Sequence, residues 1–483
     1  TIVGKRWKKM WLERLKNQPF LVANWLRHPH RDAYWKHGSV CEKWNAIEAA
    51  ALCIGGWNDA YSNAVPRLVL GLKSPSKGII GPWAHKYPHF ALPEPRIGFL
   101  QEALRWWDFW LKGEPTKVSS DARFRTYIMD LVRPGASIGE IPGRWVEDHV
   151  WPSDSAQRLR LYLKGRSLER EAGQGEALTI TSPQNTGLDS GEFCIIWLGP
   201  EFPGDQRRDD SGSLTFDSEP LAEPIDLVGA PVLTLSFSAD RPVAVVAVRL
   251  NSVWPDGAVS RVTYNVMNLC HRDSHEHPLP LEPGERYLVK IKLDDVGVRI
   301  PKDHRLRVAI STCYWPLIWP APEPVRLTVH TGESHFDIPV RGRKPDDAAP
   351  QFAPAETGRP LKRKMLSRPF NKREATIDQA TGETRLAIVD DFGRFELPEH
   401  GLQTWECERE FYSIRPDDPL SAKQEIHWSE EMKRGAWKVR TETYSELTAT
   451  REHWLIKGRL EAFEGRRKIL TRKWTEKIER KLV

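Results

Sequence analysis

No run of eighteen apolar residues occurs anywhere in this sequence, so no transmembrane helix is expected. Its six cysteines stand far apart, with no C-x-x-C pair and no zinc-ligand spacing. Free, buried thiols in a reducing cytoplasm are the expectation. Position 1 lacks a methionine; the chain opens Thr1-Ile2-Val3, so a leader peptide at the true N-terminus stays open. The net charge of +6 is small for 483 residues and is spread along the chain. With no clustered basic face beside a recognisable module, nucleic acid is not an expected partner. No internal repeat of fixed period stands out. What is present is globular material, 40% hydrophobic and 28% charged. The length allows roughly two to four domains.

Two short apolar runs carry the chemistry. Ala49-Ala50-Ala51-Leu52-Cys53-Ile54-Gly55-Gly56 leads into Trp57-Asn58-Asp59-Ala60-Tyr61, and Lys77-Gly78-Ile79-Ile80-Gly81 leads into Pro82-Trp83-Ala84-His85. Buried parallel strands of α/β proteins end at such glycine breaks, and chemistry sits at their carboxyl ends. The first run delivers Asp59; the second delivers His85, twenty-six residues later. An α/β-hydrolase orders its triad Ser, then Asp or Glu, then His along the chain. Asp59 and His85 fit the last two places. A serine is a weak nucleophile until a base takes its proton, and a buried carboxylate holds that base in the productive tautomer. His85 is the candidate base and Asp59 its orienting partner. His89 lacks the Gly-Pro-Trp frame and is not a candidate.

These stretches resemble the acid and base loops of the CocE/NonD hydrolases. Arg105-Trp106-Trp107-Asp108-Phe109-Trp110-Leu111-Lys112-Gly113 resembles the helix that closes the hydrolase domain of that family. Gly204-Asp205-Gln206-Arg207 and Asp303-His304-Arg305-Leu306-Arg307 resemble marks of its C-terminal jelly roll. The resemblance covers roughly residues 25 to 345. It implies ester or amide hydrolysis through an acyl-enzyme on a small-molecule substrate, with no cofactor and no metal. It also implies that Tyr61, two residues after the acid, lines the acyl pocket, together with Ile196 and Trp197 from the loop before Gly204. One departure is large: a family member would begin further upstream, with the nucleophile elbow and part of the oxyanion hole. The expectation is therefore the C-terminal part of a longer hydrolase, as a fragment, a cleaved chain or an incomplete reading frame. Its expected partners are the missing half and a second copy.

The fold class expected is α/β plus all-β, in four segments. Residues 1–46 are a helical cap segment, in which Trp7, Met10, Trp11 and Leu15 recur at helix spacing. Residues 47–120 are the C-terminal half of an α/β-hydrolase. Its last helix should bury the face formed by Leu100, Ala103, Leu104, Trp107, Trp110 and Leu111, and stop at Gly113. Residues 121–345 are a jelly-roll β-sandwich, from alternating runs such as Val232 to Phe237 and Tyr287 to Leu293. Residues 346–483 are a linker and a β-rich extension packed on that sandwich, with Leu455 to Phe463 and Lys468 to Ile478 forming a hairpin.

Three other features invite chemistry. Gly135-Ala136-Ser137-Ile138-Gly139 matches G-x-S-x-G, but an elbow needs a strand before the serine and a helix after it. Pro142 follows where that helix would grow, so Ser137 is expected in a loop. Thr1 could act as an N-terminal nucleophile only on a strand edge, whereas Thr1 to Leu15 looks helical. His271, His275 and His277 gather with Asp273 and Glu276 in a polar turn, read as solvated and not as a metal site. A non-catalytic binding protein, with the half domain as scaffold, is the other reading the sequence leaves open.

Overall fold

The computed structural model describes residues 3–196, 199–344, 347 and 349–483. The chain begins with helices α1 (Trp7–Asn17), α2 (Leu21–Arg27) and α3 (Ala33–Lys36). The expected helices form, and the cover for their apolar residues is the far end of the chain. Trp7 meets Trp437 edge-on at 5.5 Å, and Phe20 stacks on Trp474 at 5.3 Å. Lys8 pairs with Glu464 at 2.5 Å and Arg27 with Glu476 at 2.7 Å. Ala23 is buried in one cluster with Trp454, Ile456 and Ile478.

The glycine-ended runs fold as parallel neighbours. β1 (Ala51–Gly56) pairs with β2 (Ser76–Gly81), Ala51 opposite Ser76 and Gly56 opposite Gly81. Parallel strands need a crossover, here through α4 (Ala64–Gly71), which buries Val65 and Val69. Among the described residues, β1 carries a ladder on its β2 side alone. After β2 comes α5 (Phe99–Trp107), which continues as a wider π turn over Asp108–Lys112. It stops at Gly113, whose φ of 74° is the left-handed cap conformation that glycine adopts without strain.

The buried side of α5 is not the expected one. Glu102 and Trp106 are the buried residues, while Leu100, Leu104, Trp107, Trp110 and Leu111 are exposed, Leu111 to 75%. The reason is electrostatic. Glu102 accepts hydrogen bonds from Arg105 and Arg125, each at 2.7 Å, and Arg105 also reaches Asp121 at 2.6 Å. A nearly buried guanidinium such as Arg125 must be paired, and that pairing turns the acidic edge of the helix inward.

β3 (Phe124–Asp130) follows and is shared between two sheets. Its first residues continue the parallel set, Gly78 opposite Phe124 and Ile80 opposite Thr126. Its last residues pair in parallel with Val298 and Arg299, and β4 (Gly143–Asp148) runs antiparallel along its whole length. The expected boundary after residue 120 thus falls just ahead of a strand that belongs to both sides. Beyond it the strands are largely antiparallel and curl around one core. Val232–Ala239 pairs with Tyr287–Lys292 and with His335–Arg341, and Val245–Val253 lies between Val259–Asn268 and Arg305–Ser311. Leu233, Leu235, Phe237, Val246, Val248, Leu250, Val308 and Ile310, every second residue of their strands, are fully buried in one cluster.

The Gly204 to Arg207 stretch has a structural role here. Gln206 donates to the Asp189 and Gly204 carbonyls and accepts from Arg249, a fully buried guanidinium that Ser213 and Asp210 also hold. Residues 364–479 form a second, eight-stranded antiparallel sheet of long strands. The expected hairpin is there as His453–Glu464 and Arg467–Glu479, turning at Gly465. This sheet packs on loops of the preceding region through Leu386, Ile388 and Ile414 against Leu188, Cys313 and Trp315.

Candidate active site

Asp59 and His85 meet because their strands do. Gly56 and Gly81 are paired positions at the carboxyl ends of β1 and β2, so the two loops leave side by side. They are laced together: Trp57 N–H donates to the Gly81 carbonyl at 2.9 Å, Asn58 N–H to the Trp83 carbonyl at 3.1 Å, and Asn58 Nδ2 to the Pro82 carbonyl at 2.7 Å. Gly56 permits this approach, since a Cβ there would lie 1.9 Å from the Trp83 oxygen.

The carboxylate is held at both oxygens. Asp59 Oδ1 accepts from the Tyr61 N–H at 2.9 Å, and Oδ2 lies 2.9 Å from His85 Nδ1. The Asp59 side chain is 14% exposed and that of His85 46%. This is the geometry of an oriented imidazole: Nδ1 is occupied by the acid and Nε2 is left to take a proton. Tyr61, itself 59% exposed, lies beside the ring with 5.6 Å between centroids.

A loop from the later strands closes one side. His85 N–H donates to the Ile195 carbonyl at 3.0 Å. Glu201 holds the loop by accepting from Ile196 N–H at 2.7 Å and Gly199 N–H at 3.1 Å. Arg373 of the second sheet pairs with Glu192. Cys194, on this loop, stands within 4.8 Å of Asp59 and His85. Burial, and then the nearby Asp59 charge, raises its thiol pKa. No local pattern marks Cys194 in the sequence; only the fold brings it here. Behind it lies a cavity of about 410 Å³ lined by Phe193, Ile196, Asp390, Glu408 and Trp428. Burial pushes Asp390 up to about 6, and Glu408 up to about 8 with Glu410 adding to it.

Of the residues expected at the substrate, Tyr61 stands beside His85, Ile196 lines the neighbouring cavity one residue after the Ile195 carbonyl that His85 reaches, and Trp197 lies outside the described residues. The other features fall elsewhere. Ser137 sits in the loop between β3 and β4 and donates to the Gly199 carbonyl at 3.3 Å. His89 stacks on Phe99 with 5.4 Å between centroids. Thr1 lies outside the described residues. In the histidine turn Asp273, His275 and His277 are exposed, and His271 and Glu276 are half-buried. His271 Nδ1 lies 3.2 Å from His275 Nδ1, and Glu276 pairs with Lys36 at 2.7 Å, which docks the α3 region on the turn.

Comparison with known proteins gives a consistent picture. Residues 116–356 match the X-Pro dipeptidyl-peptidase C-terminal non-catalytic domain, and residues 3–87 match the X-Pro dipeptidyl-peptidase (S15 family). Cocaine esterase from Rhodococcus sp. (strain MB1 Bresler) is 21% identical over 323 residues, covering 62% of this chain and 54% of that protein. The chain thus spans about half the length of the curated relatives it matches. Among solved structures, an aminopeptidase from a marine sediment Thaumarchaeota archaeon superposes with a TM-score of 0.56 at 19% identity, over 69% of this chain and 62% of that one. A CocE/NonD family hydrolase from Staphylococcus aureus gives 0.54 at 16% identity, over 69% and 62%. Among the described residues no helix is long and apolar enough to cross a membrane.

Proposed function

The chain belongs to the CocE/NonD family of hydrolases, and on that premise we propose that it supplies the acid and the base of a Ser-Asp-His triad that cleaves ester or amide bonds in small molecules. The observation that carries the reading is the 2.9 Å contact of Asp59 Oδ2 with His85 Nδ1 at the ends of two adjacent parallel strands. In this reading the nucleophilic serine lies on a segment outside residues 1–483, and Ser137 and Thr1 take no part. The serine Oγ attacks the acyl carbonyl as its proton passes to His85 Nε2. Asp59 stabilises the imidazolium, and His85 then returns the proton to the leaving alcohol or amine. Water repeats the sequence on the acyl-enzyme. Tyr61, Ile196 and Trp197 are assigned to the acyl pocket, residues 47–120 to chemistry, and residues 121–345 and 346–483 to framing it. The non-catalytic description of the family that matches residues 116–356 favours that division.

The test is reconstitution. This chain alone should resist labelling by a fluorophosphonate serine probe. Supplied in trans with a family segment carrying G-x-S-x-G, it should yield labelling and p-nitrophenyl ester hydrolysis. Both should vanish in His85→Ala, and Asp59→Asn should lower kcat by about 10⁴-fold. Hydrolysis indifferent to His85→Ala, or labelling of the chain alone that is lost in Ser137→Ala, would overturn the assignment.

A further inference from the structure

Cys194 approaches the Asp59–His85 pair without any part in the hydrolase reading. Its Sγ, one ring nitrogen of His85 and one carboxylate oxygen of Asp59 all lie within 4.8 Å of one another. Three separate segments bring these atoms together: the loop after β1, the loop after β2 and the loop closed by Glu201. Thiolate, imidazole and carboxylate together form a donor set that suits a thiophilic divalent cation.

The distances fit such an ion with little movement. At bonds of about 2.0–2.1 Å to nitrogen and oxygen, tetrahedral ligands stand about 3.3 Å apart. The 2.9 Å between Asp59 and His85 needs to widen by only about 0.4 Å. A metal bond to sulfur of about 2.3 Å asks Cys194 to close in on the pair by about 1 Å, within reach of a side-chain rotation. The outer contacts are already made. Tyr61 N–H orients the carboxylate, and the Ile195 carbonyl and Glu201 fix the loop that carries the thiol. The half-exposed His85 leaves a path for entry and a fourth position for water.

We propose that Asp59, His85 and Cys194 form a binding site for a thiophilic divalent cation of the zinc type. Bound at Nδ1, the nitrogen that faces Asp59, the ion leaves the ring proton on Nε2, and the ring cannot act as base. Occupancy therefore switches hydrolysis off. This consequence rests on the reading under Proposed function; the site itself does not.

The experiment reads binding alone. The metal-free full chain is titrated with Zn²⁺ against a chromophoric chelator. A parallel titration with Cd²⁺ records the ultraviolet charge-transfer band of a thiolate–cadmium bond. One ion per chain is expected, with the band present. Cys194→Ser should abolish the band and weaken Zn²⁺ binding at least tenfold, and Asp59→Asn and His85→Gln should each weaken it by about tenfold or more. Cys41→Ser, at the exposed cysteine, should change neither readout. Circular dichroism verifies that the variants keep their fold, and the Asp59→Asn arm stands if the cysteine variant does not. A band that persists in Cys194→Ser would overturn the site, as would wild-type binding no tighter than in the three variants. Neither readout involves hydrolysis, so failure of the hydrolase reading would leave a positive result intact.

Discussion

Gly56→Ala would part the two loops that carry Asp59 and His85. A Cβ at residue 56 would sit 1.9 Å from the Trp83 carbonyl oxygen, where real Cβ atoms keep at least 3.0 Å. The opposing partner is backbone, so no side chain can swing aside. The loops must separate by about 1 Å, more than a hydrogen bond tolerates. At risk are the three bonds from Trp57 N–H, Asn58 N–H and Asn58 Nδ2. Each contributes about 1 kcal/mol net, and the crowding adds about 1–3 kcal/mol. The expected loss is about 4–6 kcal/mol. Urea titration followed by tryptophan fluorescence measures it, and hydrogen exchange at the Trp57 and Asn58 amides localises it. Gly38→Ala is the control: a Cβ there meets nothing within 4 Å, so a change below about 0.5 kcal/mol is expected. A Gly56→Ala protein within about 1 kcal/mol of wild type, with both amides still protected, would refute the reasoning.

Two further predictions address the helix and the second sheet. Glu102→Ala leaves Arg125 nearly buried without its 2.7 Å partner and should cost about 3 kcal/mol. Leu104→Ser on the exposed side of α5 should stay within about 0.5 kcal/mol; thermal melts of the two variants would reveal an inverted helix by the opposite order. Glu408, raised to about 8 by burial and then by Glu410, binds a proton in the folded chain that it releases near pH 4.3 (about the ordinary glutamate value) when unfolded. Its contribution is full below the unfolded value and is lost as pH rises towards about 8. Glu408→Gln should therefore flatten the fall in stability across that window, and denaturation midpoints between pH 5 and 9 that decline as in wild type would count against it.

The Asp59–His85 pair was legible because its signal is local. An apolar run ended by glycine marks a buried parallel strand, and two such runs a helix apart leave little choice but adjacent pairing. The hairpin at Gly465 was readable for a similar reason, since alternation on both arms and a left-handed glycine specify it without distant contacts. The orientation of α5 was not readable. Periodicity shows that one face is apolar, but the ion network of Glu102, Arg105, Asp121 and Arg125 decides which face turns inward, and two of its members lie beyond the helix. Cys194 was hidden for the same reason, because its neighbours come from loops more than one hundred residues away. The cover for the tryptophans of α1 was hidden too, since that contact joins residues 7 and 437.

That last contact makes the chain a closed ring held by non-covalent clasps. α1 and α2 grip the final strands through Trp7–Trp437, Phe20–Trp474 and Arg27–Glu476, and Asn268 donates to the Leu482 carbonyl at 2.7 Å. A protease that cuts between Glu356 and Lys362, where the backbone forms no helix or strand and is exposed, would yield two polypeptides on a denaturing gel. On a sizing column the same nicked material should elute as one particle. The piece that ends at the cut still holds the helices that clasp the other piece.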